Sequence, residues 1–450
     1  MDRTQLLSEA AAIVDQLRAH SIRTRDDKVI WRGPTGYDTE LTPLRMVKLG
    51  PYLGDGSLGI ALFLAAFARV CGGGECRDLA LRVLEPLRQE LAELMADPEK
   101  VKYFRMSIGV FIGAGSLIYG FTKVGELLGE TELSREAHQF SVLINQERID
   151  NDQSLRVQKG CAGAILGLLA LGNTVSVPNQ DGRTPLEIAR ACARHLLKVR
   201  VSFEGRPRAW SLSPGKPPLA GFSYGAAGVS YSLLRLHEAA GEQELWDAAQ
   251  EGLSFVRSWY SPEHGSWRDV HVLFQSRYGL RRGTWGDWWV SGTPSDLIEL
   301  RSPSSPEDEF PEAWCHGAAG IVLGRIGSLR ICNTPEVQEE IDRTLRRVQS
   351  YALDGEKLDG TDDICTGHMG TIELLVSAYQ RLGDVRSLEA ASTLMDRVWQ
   401  RKQSRERYEL SAACGKEVFA PSFLQGVAGV GYTLLRLAAP ESLPCLLLFD

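Results

Sequence analysis

Hydrophobic positions along the chain follow two alternating styles. In one, a short Gly-x-x-Gly stretch opens a run that is apolar nearly all the way round a helix. The runs read DGSLGIALFLAAFARV from Asp55, IGAGSLIYGFTKV from Ile112, KGCAGAILGLLAL from Lys159, YGAAGVSYSLLRLHEA from Tyr224, HGAAGIVLGRIGSL from His316, TGHMGTIELLVSAY from Thr366 and QGVAGVGYTLLRL from Gln425. The second copy keeps Gly113 but has Ser116 at the second glycine. In the other style, charged and apolar positions alternate at helical spacing, as in LSREAHQFSVLINQ and PEVQEEIDRTLRRVQSYAL. A helix apolar on most sides is buried on most sides, and one with a single apolar stripe keeps a wet face. The pattern therefore predicts an inner layer of seven helices and an outer layer of amphipathic ones. Small residues at i and i+3 let backbones approach closely at each inner helix start, and the first glycine permits a left-handed or tight turn.

Repeats of two helices suggest an all-α fold, a closed α/α toroid with seven inner and seven outer helices, rather than an open solenoid. The repeats are irregular in length and no polar capping repeat is evident. The residue before each Gly-x-x-Gly would then face one end of the ring. The whole chain, 1–450, reads as one such domain. One segment departs from the pattern, an irregular Trp-rich loop insertion over 260–312 between the fourth and fifth copies. It and its C-terminal edge hold Trp267, Trp285, Trp288, Trp289 and Trp314, five of the ten tryptophans. Long aromatic loops serve as lids or peptide-binding surfaces, or are pinned to the body by their rings; both readings stay open.

Composition adds exclusions. With 44% hydrophobic and 24% charged residues the chain is of the globular class, and a net charge of −7 without a basic cluster argues against nucleic-acid binding. No apolar stretch is long enough for a transmembrane helix, and the charged N-terminus lacks a signal peptide's apolar core, so a cytoplasmic location is expected. The nine cysteines then speak against a disulfide framework.

The stretches AWCHGAAGI, DDICTGHMGTIE and FLQGVAGVGYTLLRLAAPESLPCLLLFD, with PYLGDGSLGIALFLAAFARV at the start, resemble the lanthionine synthetase C-like family. The likeness is closest to the cyclase half of class II lanthipeptide synthetases. It implies an α/α toroid with Zn2+ at the ring's mouth, held by two cysteines and a third ligand directly after the second. It also implies a ribosomally made precursor peptide as substrate. Its cysteine thiolate would add to a dehydroalanine or dehydrobutyrine, giving a thioether ring. The full synthetases carry a dehydratase upstream. This sequence begins at the cyclase, so a stand-alone or cut-out cyclase working with a separate dehydratase is expected.

Carried over residue by residue, Cys315 matches the first zinc cysteine and Cys365 the second. The usual third-ligand position holds Thr366, whose neutral hydroxyl is a poor zinc ligand. His368, two residues on, is the candidate replacement, and loss of zinc is the other reading. The fourth copy reads FSYG where active relatives have FSHG, which puts Tyr224 at the acid/base position. Arg156 stands where the third repeat of relatives carries an aspartate, and His316 is kept. Tyr224, His316 and Arg156 are thus the catalytic candidates, since tyrosine donates a proton to an enolate and arginine stabilises an oxyanion. Two readings follow, a peptide cyclase with a remodelled site and a non-catalytic peptide-binding partner that has lost the chemistry. The survival of Cys315, His316 and Cys365 favours the enzyme. An unrelated toroid such as a glycosidase would need two carboxylates in the mouth, where the residues before the glycines supply Asp55 alone.

Overall fold

Each unbroken apolar run becomes a buried helix, and the run's length sets the helix. In a computed structural model of the chain the inner helices are Ser57–Cys71, Ala114–Leu128, Cys161–Gly172, Ala226–Ala240, Ala318–Gly327, His368–Leu382 and Val427–Ala438. The structure describes residues 1–35, 45–211, 216–269, 310–354, 358–411 and 418–450. In the fifth inner helix every residue from Ala318 to Ile326 is buried. Each inner helix packs against the next, and the seventh packs against the first, so the described helices close a ring.

The amphipathic runs form the outer layer. Gly74–Met95, Thr131–Phe140, Pro185–Lys198, Gln243–Arg257, Pro335–Asp354 and Val385–Arg405 lie against inner helices one to six in order. The helix Arg3–Ala19 lies against the seventh, although it opens the chain. Its start is fixed by a capping box between Asp2 and Gln5. The ring is thus sealed by two segments from opposite ends of the sequence, where Arg3 Nε donates to the Ala438 carbonyl at 3.2 Å.

The axis of the ring is filled. Leu443 and Cys445 to Phe449 are buried. The Tyr231 hydroxyl donates to Leu448 O and that of Tyr432 to Pro444 O, each at 2.8 Å. Phe449 meets Phe111 and Tyr119 edge-on at 5.4 Å. Because this segment touches residues of inner helices two, four and seven, it lies inside the ring and makes it a packed core.

Among the described residues, three short antiparallel hairpins qualify the all-helical expectation. Two lie in sequence between the helix Arg3–Ala19 and the first inner helix, Ile22–Arg23 with Val29–Ile30 and Arg32–Thr35 with Arg45–Lys48. The buried Trp31 between them anchors this segment, its indole donating to Leu17 O at 2.8 Å. The third, Tyr260–Ser261 with Ser266–Trp267, opens the Trp-rich insertion. Trp267 and Trp314 are buried. Trp285, Trp288 and Trp289 lie outside the described residues. Among the described residues no helix is long and apolar enough to cross a membrane.

Candidate active site at the ring mouth

The seven turns that lead into the inner helices share one register. Counting back from the first glycine, the third residue is Leu53, Val110, Val157, Phe222, Trp314, Ile364 or Phe423, and each is at most 1% exposed. These residues plug the turn into the core. The carbonyl of this residue tucks beside the second glycine, where an added Cβ at Gly320 would lie 1.8 Å from Trp314 O. Close approach therefore explains that glycine. Left-handed geometry does not explain the first one in the fifth and sixth copies. Gly317 and Gly367 are extended, with φ of −112°, whereas Gly113 takes φ of 125°.

The second residue back is Gly54, Phe111, Gln158, Ser223, Cys315, Cys365 or Leu424. Main-chain hydrogen bonds run from one of these to the next. Ser223 N–H donates to Cys315 O (2.9 Å), Cys315 to Cys365 (3.1 Å), Cys365 to Leu424 (3.0 Å), Leu424 to Gly54 (2.9 Å), Gly54 to Phe111 (3.0 Å) and Phe111 to Gln158 (3.2 Å). The two cysteines are therefore side by side because they hold the same register in adjacent turns.

Cys315 and Cys365 are both buried, and the main-chain bond between them brings the two residues side by side. Burial, then the neighbouring Cys365 and Asp363, push the Cys315 thiol well above its ordinary range. His316 folds back onto the same sulfur, with Nδ1 2.9 Å from Cys315 Sγ. Thr366, at the expected third-ligand position, is engaged elsewhere. Its N–H donates to Asp363 Oδ1 at 2.9 Å, and its hydroxyl lies 3.2 Å from both Asp363 Oδ1 and Thr361 Oγ1.

His368, expected as the replacement ligand, faces the outer layer. Its Nε2 is 3.1 Å from the Tyr351 hydroxyl, and its Nδ1 is 3.3 Å from Asp362 and 3.4 Å from Arg401. Tyr351 and Arg401 belong to the two outer helices that flank this turn. Asp362 is also bonded to Arg401 and accepts from Glu409 N–H at 2.8 Å. The Asp362–Asp363 pair is thus spent on holding the turn. Among the described residues no group of three His, Cys, Asp or Glu side chains is gathered as a metal site.

On the other side of Ser223, Arg156 and Tyr224 come together. The Arg156 guanidinium carbon stands 5.3 Å from the centre of the Tyr224 ring, and its Nε donates to Ser154 Oγ at 3.0 Å. Burial pushes Arg156 down from its ordinary value, and the Tyr224 phenol acts against that. Lys159, the next mouth residue, is held down by burial and by Arg156, with Asp55 acting the other way. Sequence reasoning placed Lys159 at the mouth without giving it a role, and it missed Gln158 and Ser223. The signal for Gln158 and Ser223 was the shared register, since the position two before the first glycine also holds both cysteines.

The chain matches a family model described as lanthionine synthetase C-like protein over residues 48–448. Among solved structures it is similar to nisin cyclase, at 17% identity and a TM-score of 0.54, covering 89% of this chain and 92% of that one. A weaker likeness is to a sugar epimerase from a ruminal bacterium, at 12% identity and a TM-score of 0.45, covering 97% of this chain and 99% of that one. No curated protein sequence matches the chain. A ring of glycine-led inner helices with two thiols in one register, matched by that family over nearly its whole length, places the chain in the lanthionine synthetase C-like family.

Proposed function

We propose that this protein is a lanthipeptide-cyclase-like enzyme acting on a dehydrated, ribosomally made peptide. The observation that carries the reading is the pair of adjacent thiols, Cys315 and Cys365, in one register of a lanthionine synthetase C-like ring. The reaction is an isomerisation. A cysteine S–H of the peptide adds across the Cα=Cβ bond of a dehydroamino acid, the S–Cβ bond forms, and the proton goes to Cα. Tyr224 would be the acid, giving its phenol proton to Cα and regaining the proton that the thiol releases. Arg156, over its ring, would offer its charge to the developing enolate oxygen. A dehydratase must act on the same peptide first.

Zinc is the metal the family implies, and two adjacent thiols fit it in donor type. Cys315 and Cys365 would hold it, with His316 the imidazole nearest a thiol. Bound there, it would lower a substrate thiol's pKa and hold the thiolate ready for addition.

The second reading, a peptide-binding partner without chemistry, is favoured by the full burial of the Cys315 thiol and by Thr366 at the third-ligand position. A peptide carrying one cysteine and one dehydroalanine separates the two. Cyclisation leaves the mass unchanged but removes the thiol, so N-ethylmaleimide labelling followed by mass spectrometry reads it. The expected outcome is loss of label faster than in buffer, abolished by Cys315→Ala. Binding of the peptide with no gain in rate would leave the partner reading.

A further inference from the structure

Two side chains in the mouth register are buried without partners. Gln158 is 1% exposed and Ser223 is fully buried, and Gln158 Oε1, Gln158 Nε2 and Ser223 Oγ find no hydrogen-bond partner. Leaving a buried polar group unpaired costs about 1–3 kcal/mol, and interiors rarely tolerate it. Here three such atoms belong to neighbouring turns. Both residues sit two before a first glycine, as the cysteines do. They also flank one particular junction. Six junctions around the ring carry a main-chain hydrogen bond between residues of this register, and among the described residues the seventh, between Gln158 and Ser223, carries none. Among the described residues, the third and fourth turns are joined by side-chain packing and by no main-chain hydrogen bond. Arg156 and Tyr224, with the guanidinium carbon 5.3 Å from the ring centre, come from the same two turns.

We propose that this seam is a binding slot for the backbone N–H and C=O of one residue of an extended substrate chain, with Gln158 and Ser223 as its hydrogen-bonding residues. A carboxamide offers a donor and an acceptor together, which is what a peptide C=O and N–H require. Gln158 Nε2 donates to that residue's carbonyl and Gln158 Oε1 accepts from the same residue's N–H, which share one side of an extended chain. Ser223 Oγ supplies a further donor to the carbonyl oxygen. Neither side chain carries charge, so the slot suits the backbone and leaves charged ligands to Arg156 and Lys159. The slot rests on the reading of this chain as one that binds peptide, and it gives Gln158 and Ser223 a positioning role beside the candidate acid Tyr224.

The test uses N-acetyl-alanine N-methylamide and its dehydroalanine counterpart as probes, with saturation-transfer NMR on the full chain. Gln158→Met and Ser223→Ala remove the polar atoms with little change in volume. The expected result is transfer to both probes in the wild type, weakened roughly fivefold for each hydrogen bond lost. The variants' urea midpoints should hold or rise, because an unpaired buried group has been removed. Equal transfer in wild type and variants, or none in the wild type, would overturn the slot. So would variants that lose stability and bind the probes unchanged, since that marks a bridging water with a structural role. The probes carry no thiol and do not react. Failure of the slot thus leaves the cyclase reading to the Cys315 assay, and failure of cyclisation leaves the slot standing.

Discussion

Thr366 and His368 decide which nitrogen a metal at the two thiols would meet. Thr366 is bound to Asp363 and Thr361, and both His368 ring nitrogens face partners on the outer layer. His316 alone has a ring nitrogen at a site thiol, 2.9 Å from Cys315 Sγ, among the described contacts. Zinc content by plasma mass spectrometry, with a cobalt-substituted absorption spectrum, should therefore respond to His316→Ala and not to His368→Ala. The expected loss exceeds the roughly 10–100-fold that outer-shell partners are worth. His368→Ala should instead lower stability by about 1–3 kcal/mol, because Asp362 and Tyr351 lose a buried partner. The reverse pattern would return the metal to His368. The positions of both cysteines were legible from their distance to a glycine. The direction of His368 was not, because it is the first residue of its helix. Side chains there fan outward at helical spacing, and only the packed outer helices show where it ends up.

At the scale of the element, the inner helices carry polar groups that their apolar runs concealed. Tyr119 is fully buried on the second inner helix, its hydroxyl has no partner, and burial pushes its phenol well above the ordinary value. A phenol whose folded pKa is raised keeps its proton in the folded chain over a window where the unfolded chain has lost it. Its contribution is intact below about pH 10 and is lost as pH rises beyond that. Tyr231 and Tyr432, raised by the same cause, add to this slope. Tyr119→Phe should leave stability unchanged or raise it by up to about 1 kcal/mol at neutral pH, and should flatten the fall above pH 10. Urea titrations across pH check both signs. A buried ion pair has the opposite character. Arg436 of the seventh inner helix is bonded to Glu373 of the sixth, both essentially without exposure. Glu373→Ala should cost about 3–5 kcal/mol, because it strands a buried charge. Helix type and layer were readable from the two hydrophobic styles, but pairings such as this one need the fold.

For the whole molecule, the core includes the segment that fills the axis. Phe449 packs against Phe111 and Tyr119, on the second turn and helix. Phe449→Ala should cost about 3–5 kcal/mol, seen as a lower urea midpoint at unchanged slope. A change confined to slope would mean that the segment is peripheral. The repeat announced the ring, yet nothing local announced that Arg3–Ala19 supplies the outer helix of the seventh repeat. The family match from residue 48 onward leaves that helix outside.

That seam between Arg3 and Ala438 spans 435 residues of sequence, and it bears on how the chain reaches its native state in time. Closing so large a loop adds little to the free energy, because the entropy grows only with the logarithm of length. It slows the search, since folding rates fall as contacts become more distant in sequence. On the ribosome the first helix emerges hundreds of residues before its partner. Its apolar stripe, Leu6, Ala10, Ile13, Val14 and Leu17, must wait through synthesis without the surface that later buries it. The latest step of assembly is then the docking of this helix, and the waiting stripe is the natural hold for a chaperone.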